Sequence, residues 1–165
     1  MNYEDEVKNL LEQIRREREE EKSLPPLVPP AFDSPHDLIS FLRNRPVAKH
    51  VETTTLSSFL RRFRNSLGAS ADDVAKALGF KPQDLKNLES NDCLPWMVSA
   101  QSTAVILSSY RVHTDALKFL VHNSYEIARV SRRISDSGDV TQVMSAWISD
   151  VCTTLEAYGE ESLLS

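Results

Sequence analysis

At 165 residues and 41% hydrophobic side chains, the chain has room for one compact core plus extensions. Its net charge of −5 argues against a generic polyanion binder, and its 4 glycines, with no long alternating β-branched run, point to helices.

Residues 1–22 carry five Lys/Arg against eight Asp/Glu. Val7, Leu10, Leu11 and Ile14 continue a narrow stripe begun at Tyr3, which predicts a helix over 3–22 whose end, RREREEEK, is charged all round. Such a helix is either a solvated one held by ion pairs or an acidic arm that docks on a partner. A proline-rich linker spans 23–55, opening with SLPPLVPPAF, which forbids a helix and favours a stiff extended spacer. Within it, SPHDLISFLRNR predicts a short helix at 35–45, with Ser34 as N-cap, Pro35 at the first helical position and Leu38, Ile39, Phe41 and Leu42 as its apolar face.

Residues 56–113 carry a net positive charge, with seven Lys/Arg against five Asp/Glu. LSSFLRRFRNSL places Leu56, Phe59, Leu60, Phe63 and Leu67 on one helical face and Arg61, Arg62 and Arg64 on the other, between a Thr55 cap and a Gly68 stop. Two short helices follow, SADDVAKALG and KPQDLKNLES. Ser70 caps the first, Asp72 and Asp73 sit in its first turn, and Gly79 stands where a positive φ is needed. Pro82 opens the second, with Leu85 and Leu88 inward and Gln83, Lys86, Asn87 and Ser90 outward. A longer helix is predicted from near Pro95 through Val112. The last two, 114–134 and 139–158, form a C-terminal helical hairpin in 114–165 joined through SDSG. The stripe Val140, Val143, Met144, Trp147, Ile148, Val151, Cys152, Leu155 and Tyr158 is the strongest amphipathic pattern in the chain. It either completes the monomer core or forms part of a homodimer interface through Trp147, Ile148, Val151, Leu155 and Tyr158.

Enzyme chemistry finds little footing. His36, His50, His113 and His122 lack zinc-ligand spacing, and neither a phosphate-binding glycine loop nor a nucleophile elbow occurs. No metal or cofactor is expected. Cys93 and Cys152 read as reduced thiols, and no apolar run approaches a membrane span or a signal peptide, so a cytoplasmic location is expected.

Between Leu56 and Val112, the ordering of Ser70, Val74-Ala75, Leu78-Gly79-Phe80, Leu85, Leu88-Glu89 and Pro95 behind an amphipathic helix resembles the lambda-repressor/Cro-like (XRE-type) helix-turn-helix family. The resemblance implies an all-α fold: a five-helix DNA-binding bundle in 56–113, here with an N-terminal helical arm and the added C-terminal hairpin. It implies that helix 82–89 enters the major groove of double-stranded DNA and that the protein binds as a homodimer. By position, Lys81, Pro82, Gln83, Lys86 and Asn87 would face DNA, with Gln83, Lys86 and Asn87 as base-contact candidates. Arg61, Arg62, Arg64, Ser70, Lys81 and Ser90 are the phosphate-contact candidates. Two departures stand out: Ala71 replaces a frequent Gln, and Glu89-Ser90-Asn91 replaces Glu-x-Gly. The expected function is a sequence-specific transcriptional regulator, a repressor. The alternative is an antitoxin or anti-sigma-like inhibitor that keeps the scaffold and binds a protein through helix 3–22 or the C-terminal helices.

Overall fold

The structure, a computed structural model, describes residues 3–22, 34–44, 55–90, 94–130 and 138–161. The proline-rich stretch of the linker, the connector, Cys93, His50 and the SDS of the last turn lie outside these, as does the side chain of Tyr158. Among the described residues the chain is all-α, with no strand: α1 (Tyr3–Lys22), α2 (Pro35–Arg43), α3 (Leu56–Leu67), α4 (Ala71–Leu78), α5 (Pro82–Glu89), a 3-10 turn (Pro95–Met97), α6 (Ala100–Ser109), α7 (Thr114–Val130) and α8 (Gly138–Glu161).

The helix starts follow the sequence's capping residues. Ser34, Thr55 and Ser70 each accept a hydrogen bond on the side-chain oxygen from the backbone N–H three residues on, at 3.3, 3.3 and 3.1 Å. Each thereby satisfies one of the donors that a helix N-terminus leaves without an internal partner. The predicted continuous helix from Pro95 is broken in two. Ser99 accepts from the Ser102 N–H at 3.4 Å and caps a new start, so the segment from Pro95 to Met97 remains a separate turn. At its other end α6 stops at Ser109 because Arg111 takes a left-handed φ of 60° and the Val112 N–H turns back to the Leu107 carbonyl at 3.0 Å.

A single hydrophobic cluster joins α2 to α8. Two assignments change here. The short helix at 35–45, expected within the linker, ends at Arg43 and belongs to the body: Leu38 and Leu42 are buried and α2 packs on α4 and α6. The C-terminal pair is not a self-contained hairpin either. α8 lies mainly along α6, with a lesser contact to α7, because its stripe meets the apolar side of α6 around Ile106 and Leu107. Met144, Trp147, Ile148, Val151 and Leu155 are consequently core residues, and the Trp147 indole N–H donates to the Val98 carbonyl at 2.7 Å. The proposed dimer face of Trp147, Ile148, Val151 and Leu155 is thus used up inside the monomer.

α1 is the outlying element. It rests on α7 and α3, with Ile14 buried and most of its other described side chains exposed. No described helix is long and apolar enough to cross a membrane.

Candidate nucleic-acid interface

The pair α4–α5 is built around its turn. Gly79 adopts φ +80°, and the N–H groups of Gly79 and Phe80 both return to the Ala75 carbonyl, at 2.9 and 3.1 Å. This double closure ends α4 within one residue and redirects the chain into Pro82, whose missing N–H costs nothing at a helix start. Val74, Ala75, Leu85 and Leu88 are buried where the two helices meet, and Ala71 is buried as well. A side chain longer than Ala at 71 would have to displace part of that packing.

The outward side of α5 carries the three base-contact candidates together. Gln83 and Lys86 are exposed and Asn87 is half-buried. The Gln83 amide N–H donates to Asn87 Oδ1 at 2.8 Å, one helical turn away. That bond leaves the Gln83 carbonyl oxygen and the Asn87 amino group outside it, one acceptor and one donor on adjacent turns. Lys86 Nζ lies 3.2 Å from Asp72 Oδ1 in the first turn of α4, with both side chains about half exposed or more. Exposed pairs of this kind contribute about 0–1 kcal/mol, so the ammonium is readily exchanged to another anion. Lys81 is exposed at the N-terminal edge of α5. Ser70 spends its Oγ lone pair on the Asp73 N–H, which keeps the hydroxyl at the start of α4.

The arginines are elsewhere. Arg64 makes a two-pronged contact with the Glu89 carboxylate, both bonds at 2.8 Å, and a third bond to the Ala69 carbonyl at 3.0 Å. Its guanidinium is held above its ordinary pKa by those hydrogen bonds. The pair locks the last residue of α5 to α3, beside the buried ring of Tyr110, which lies tilted by 34° against Phe63 with ring centres 4.3 Å apart. Burial, with the Glu89 charge adding to it, pushes the Tyr110 hydroxyl well above the usual tyrosine range, so it stays neutral. Arg61 and Arg62 reach the acidic helix. Arg61 grips the Glu21 carboxylate with two nitrogens, Nη2 to Oε2 at 3.0 Å, and its third nitrogen donates to the Glu89 carbonyl. Arg62 donates to the Glu17 carbonyl at 2.7 Å and to Glu20 Oε2 at 3.3 Å.

The expected phosphate-contact set therefore divides. Ser70, Lys81 and Ser90 lie at the ends of α4 and α5, whereas Arg61, Arg62 and Arg64 are committed to carboxylates and carbonyls of this chain. The sequence holds both halves of this pairing, an acid-rich 17–21 and a net positive 56–113, but not the fact that they meet. Glu17, Glu20 and Glu21 are the partners that sequence reasoning misses, and it reads Asp72 and Glu89 only as a first-turn acid and a motif position. An open cleft of about 460 Å³ lies where α1 meets this corner, lined by Arg18, Glu21, Lys22, Arg61, Glu89 and Ser90. Among the described residues no cluster of His, Cys, Asp or Glu is placed to hold a metal. In comparison with known proteins, no family model matches the chain, and no curated protein or solved structure matches it either.

Proposed function

We propose that the α4–α5 pair is a helix-turn-helix of the lambda-repressor type and that the protein is a sequence-specific DNA-binding regulator, with α5 as the helix that enters the major groove. The observation that supports this best is the surface of α5. Gln83 and Asn87 offer an acceptor and a donor one turn apart, flanked by the exposed ammonium groups of Lys81 and Lys86. Paired amide contacts suit the N6/N7 edge of adenine, and lysine suits guanine or phosphate. The Gly79 turn and the Arg64–Glu89 pair hold α5 rigidly, which a reading helix needs if its side chains are to keep register.

A second reading rests on charge. Apart from Glu89, already paired with Arg64, α4 and α5 with Lys81 carry three lysines (76, 81 and 86) against three aspartates (72, 73 and 84). A surface without net charge gains little from counterion release, so it also fits a protein partner. Selection of bound duplexes from a random pool separates the two. Enrichment of a defined site is expected, with Gln83→Ala relaxing preference at one base pair at a cost of about 1–3 kcal/mol. A pool that returns no enriched sequence, together with negligible binding at low salt, rejects the DNA reading and leaves the protein-partner one.

A further inference from the structure

Much of the contact between α1 and α3 is polar. Arg61 and Arg62 project from α3 into the acidic end of α1, where Glu21, Glu20 and the Glu17 carbonyl receive them. The apolar part of the docking is small: Ile14 is buried but stands outside the main core, Leu11 is 38% exposed, and α1 also rests on α7. Added salt weakens the exposed Arg62–Glu20 pair, while the largely buried Arg61–Glu21 pair opens only when another anion takes the place of its carboxylate. Arg61 also donates to the last carbonyl of α5 and lines the same cleft as Ser90. The face hidden under α1 is thus continuous with the C-terminal edge of the proposed reading helix.

We propose that α1 is an intramolecular acidic lid over a phosphate-binding face: docked, its carboxylates occupy Arg61 and Arg62; displaced, it yields both guanidiniums to the backbone of a nucleic acid seated on α5. This rests on the DNA reading of α5 and adds a regulatory step to it. The two-pronged Arg61–carboxylate pair converts to a two-pronged Arg–phosphate pair with no change in bond type, and Arg62 exchanges one carboxylate and one carbonyl bond for phosphate. The closed form lowers apparent affinity in proportion to the fraction of chains with the lid open, so anything that captures α1 raises DNA affinity.

The test uses the full chain and a labelled random-sequence duplex, with affinity measured against salt. E20Q/E21Q is expected to bind several-fold more tightly than wild type. Its slope of log affinity against log salt should be steeper, by up to about 1.8, because wild type exchanges two intramolecular ion pairs for the two phosphate contacts whereas the variant has none to give up. R61Q/R62Q in the same background should abolish both gains. Should the double variant lose its fold, Glu20→Gln alone, at a largely exposed site, is expected to shift affinity in the same direction by less. In wild type, saturating duplex should speed hydrogen exchange across residues 3–22. Equal affinity and slope for wild type and variants, or unchanged protection of α1 in the saturated complex, overturns the lid while leaving the DNA reading intact. Failure of every form to bind any duplex overturns both.

Discussion

Glu89 shows how much one side chain can organise here. Its carboxylate takes two bonds from Arg64, its carbonyl takes one from Arg61, and it closes α5 within reach of α1. Both members of the Arg64–Glu89 pair are largely buried. Attraction in that setting must offset desolvation of two ions, so the pair's net worth is modest while the cost of breaking it is large. Glu89→Gln leaves the Arg64 guanidinium buried against a neutral amide and should destabilise the protein by about 3–5 kcal/mol, read from the denaturant midpoint. Arg64→Met combined with Glu89→Leu should recover much of that loss. The recovery should be incomplete because the Ala69 carbonyl, bonded to Arg64 at 3.0 Å, also loses its donor. A double-mutant cycle that shows no coupling between 64 and 89 would reject this account. Sequence alone points to both residues but separates their roles: Arg64 reads as a phosphate contact because three arginines on one helical face look alike until their partners are placed.

At the scale of elements, local signals carried the reading well. Helix starts were legible at Ser34, Thr55 and Ser70 because a capping hydroxyl is a one-residue chemical fact. The stop at Arg111 was not legible, since a non-glycine residue with φ 60° is chosen by tertiary packing against its own propensity. The turn between α4 and α5 is the intermediate case, where a glycine announces a conformation and the structure realises it. A Cβ built on Gly79 would meet nothing within 4 Å, so substitution there adds backbone strain and no clash. Gly79→Ala should therefore cost about 1–2 kcal/mol, the ordinary penalty of a left-handed L-residue. Gly79→Asn should cost less, because its short amide tolerates that region. Thermal melts of the two variants check the order. Equal stability of Gly79→Ala and wild type would mean that the turn relaxes out of its left-handed form, and α5 would then lack the rigid placement that a reading helix requires.

At the scale of the whole chain, the hardest things to read were which apolar face meets which, and where charges of opposite sign find one another. Periodicity located most of the stripe at 140–158, from Met144 to Leu155, although Val143 is exposed, but is silent about its partner. α6, which mixes five apolar with five small or polar side chains over AQSTAVILSS, presents no distinct stripe to announce that α8 lies along it. Likewise the acidic character of residues 1–22 was plain, yet only the fold brings Glu20 and Glu21 onto Arg62 and Arg61, at sequence separations of 42 and 40. The burial of Trp147 decides between its two readings, and the decision has a measurable consequence. Trp147→Phe keeps an aromatic ring in the core but leaves the Val98 carbonyl without the indole donor that now sits 2.7 Å away. The expected loss is about 1–3 kcal/mol for an orphaned buried acceptor, with an unchanged dependence on denaturant. A core defect acts within one chain, so the loss should be the same in dilute and concentrated protein. A dimer-interface defect would instead move the unfolding midpoint with protein concentration, because association is coupled to folding by mass action. Denaturant titrations of wild type and Trp147→Phe across a wide concentration range decide the matter, and a midpoint difference that grows on dilution would return Trp147 to an interface.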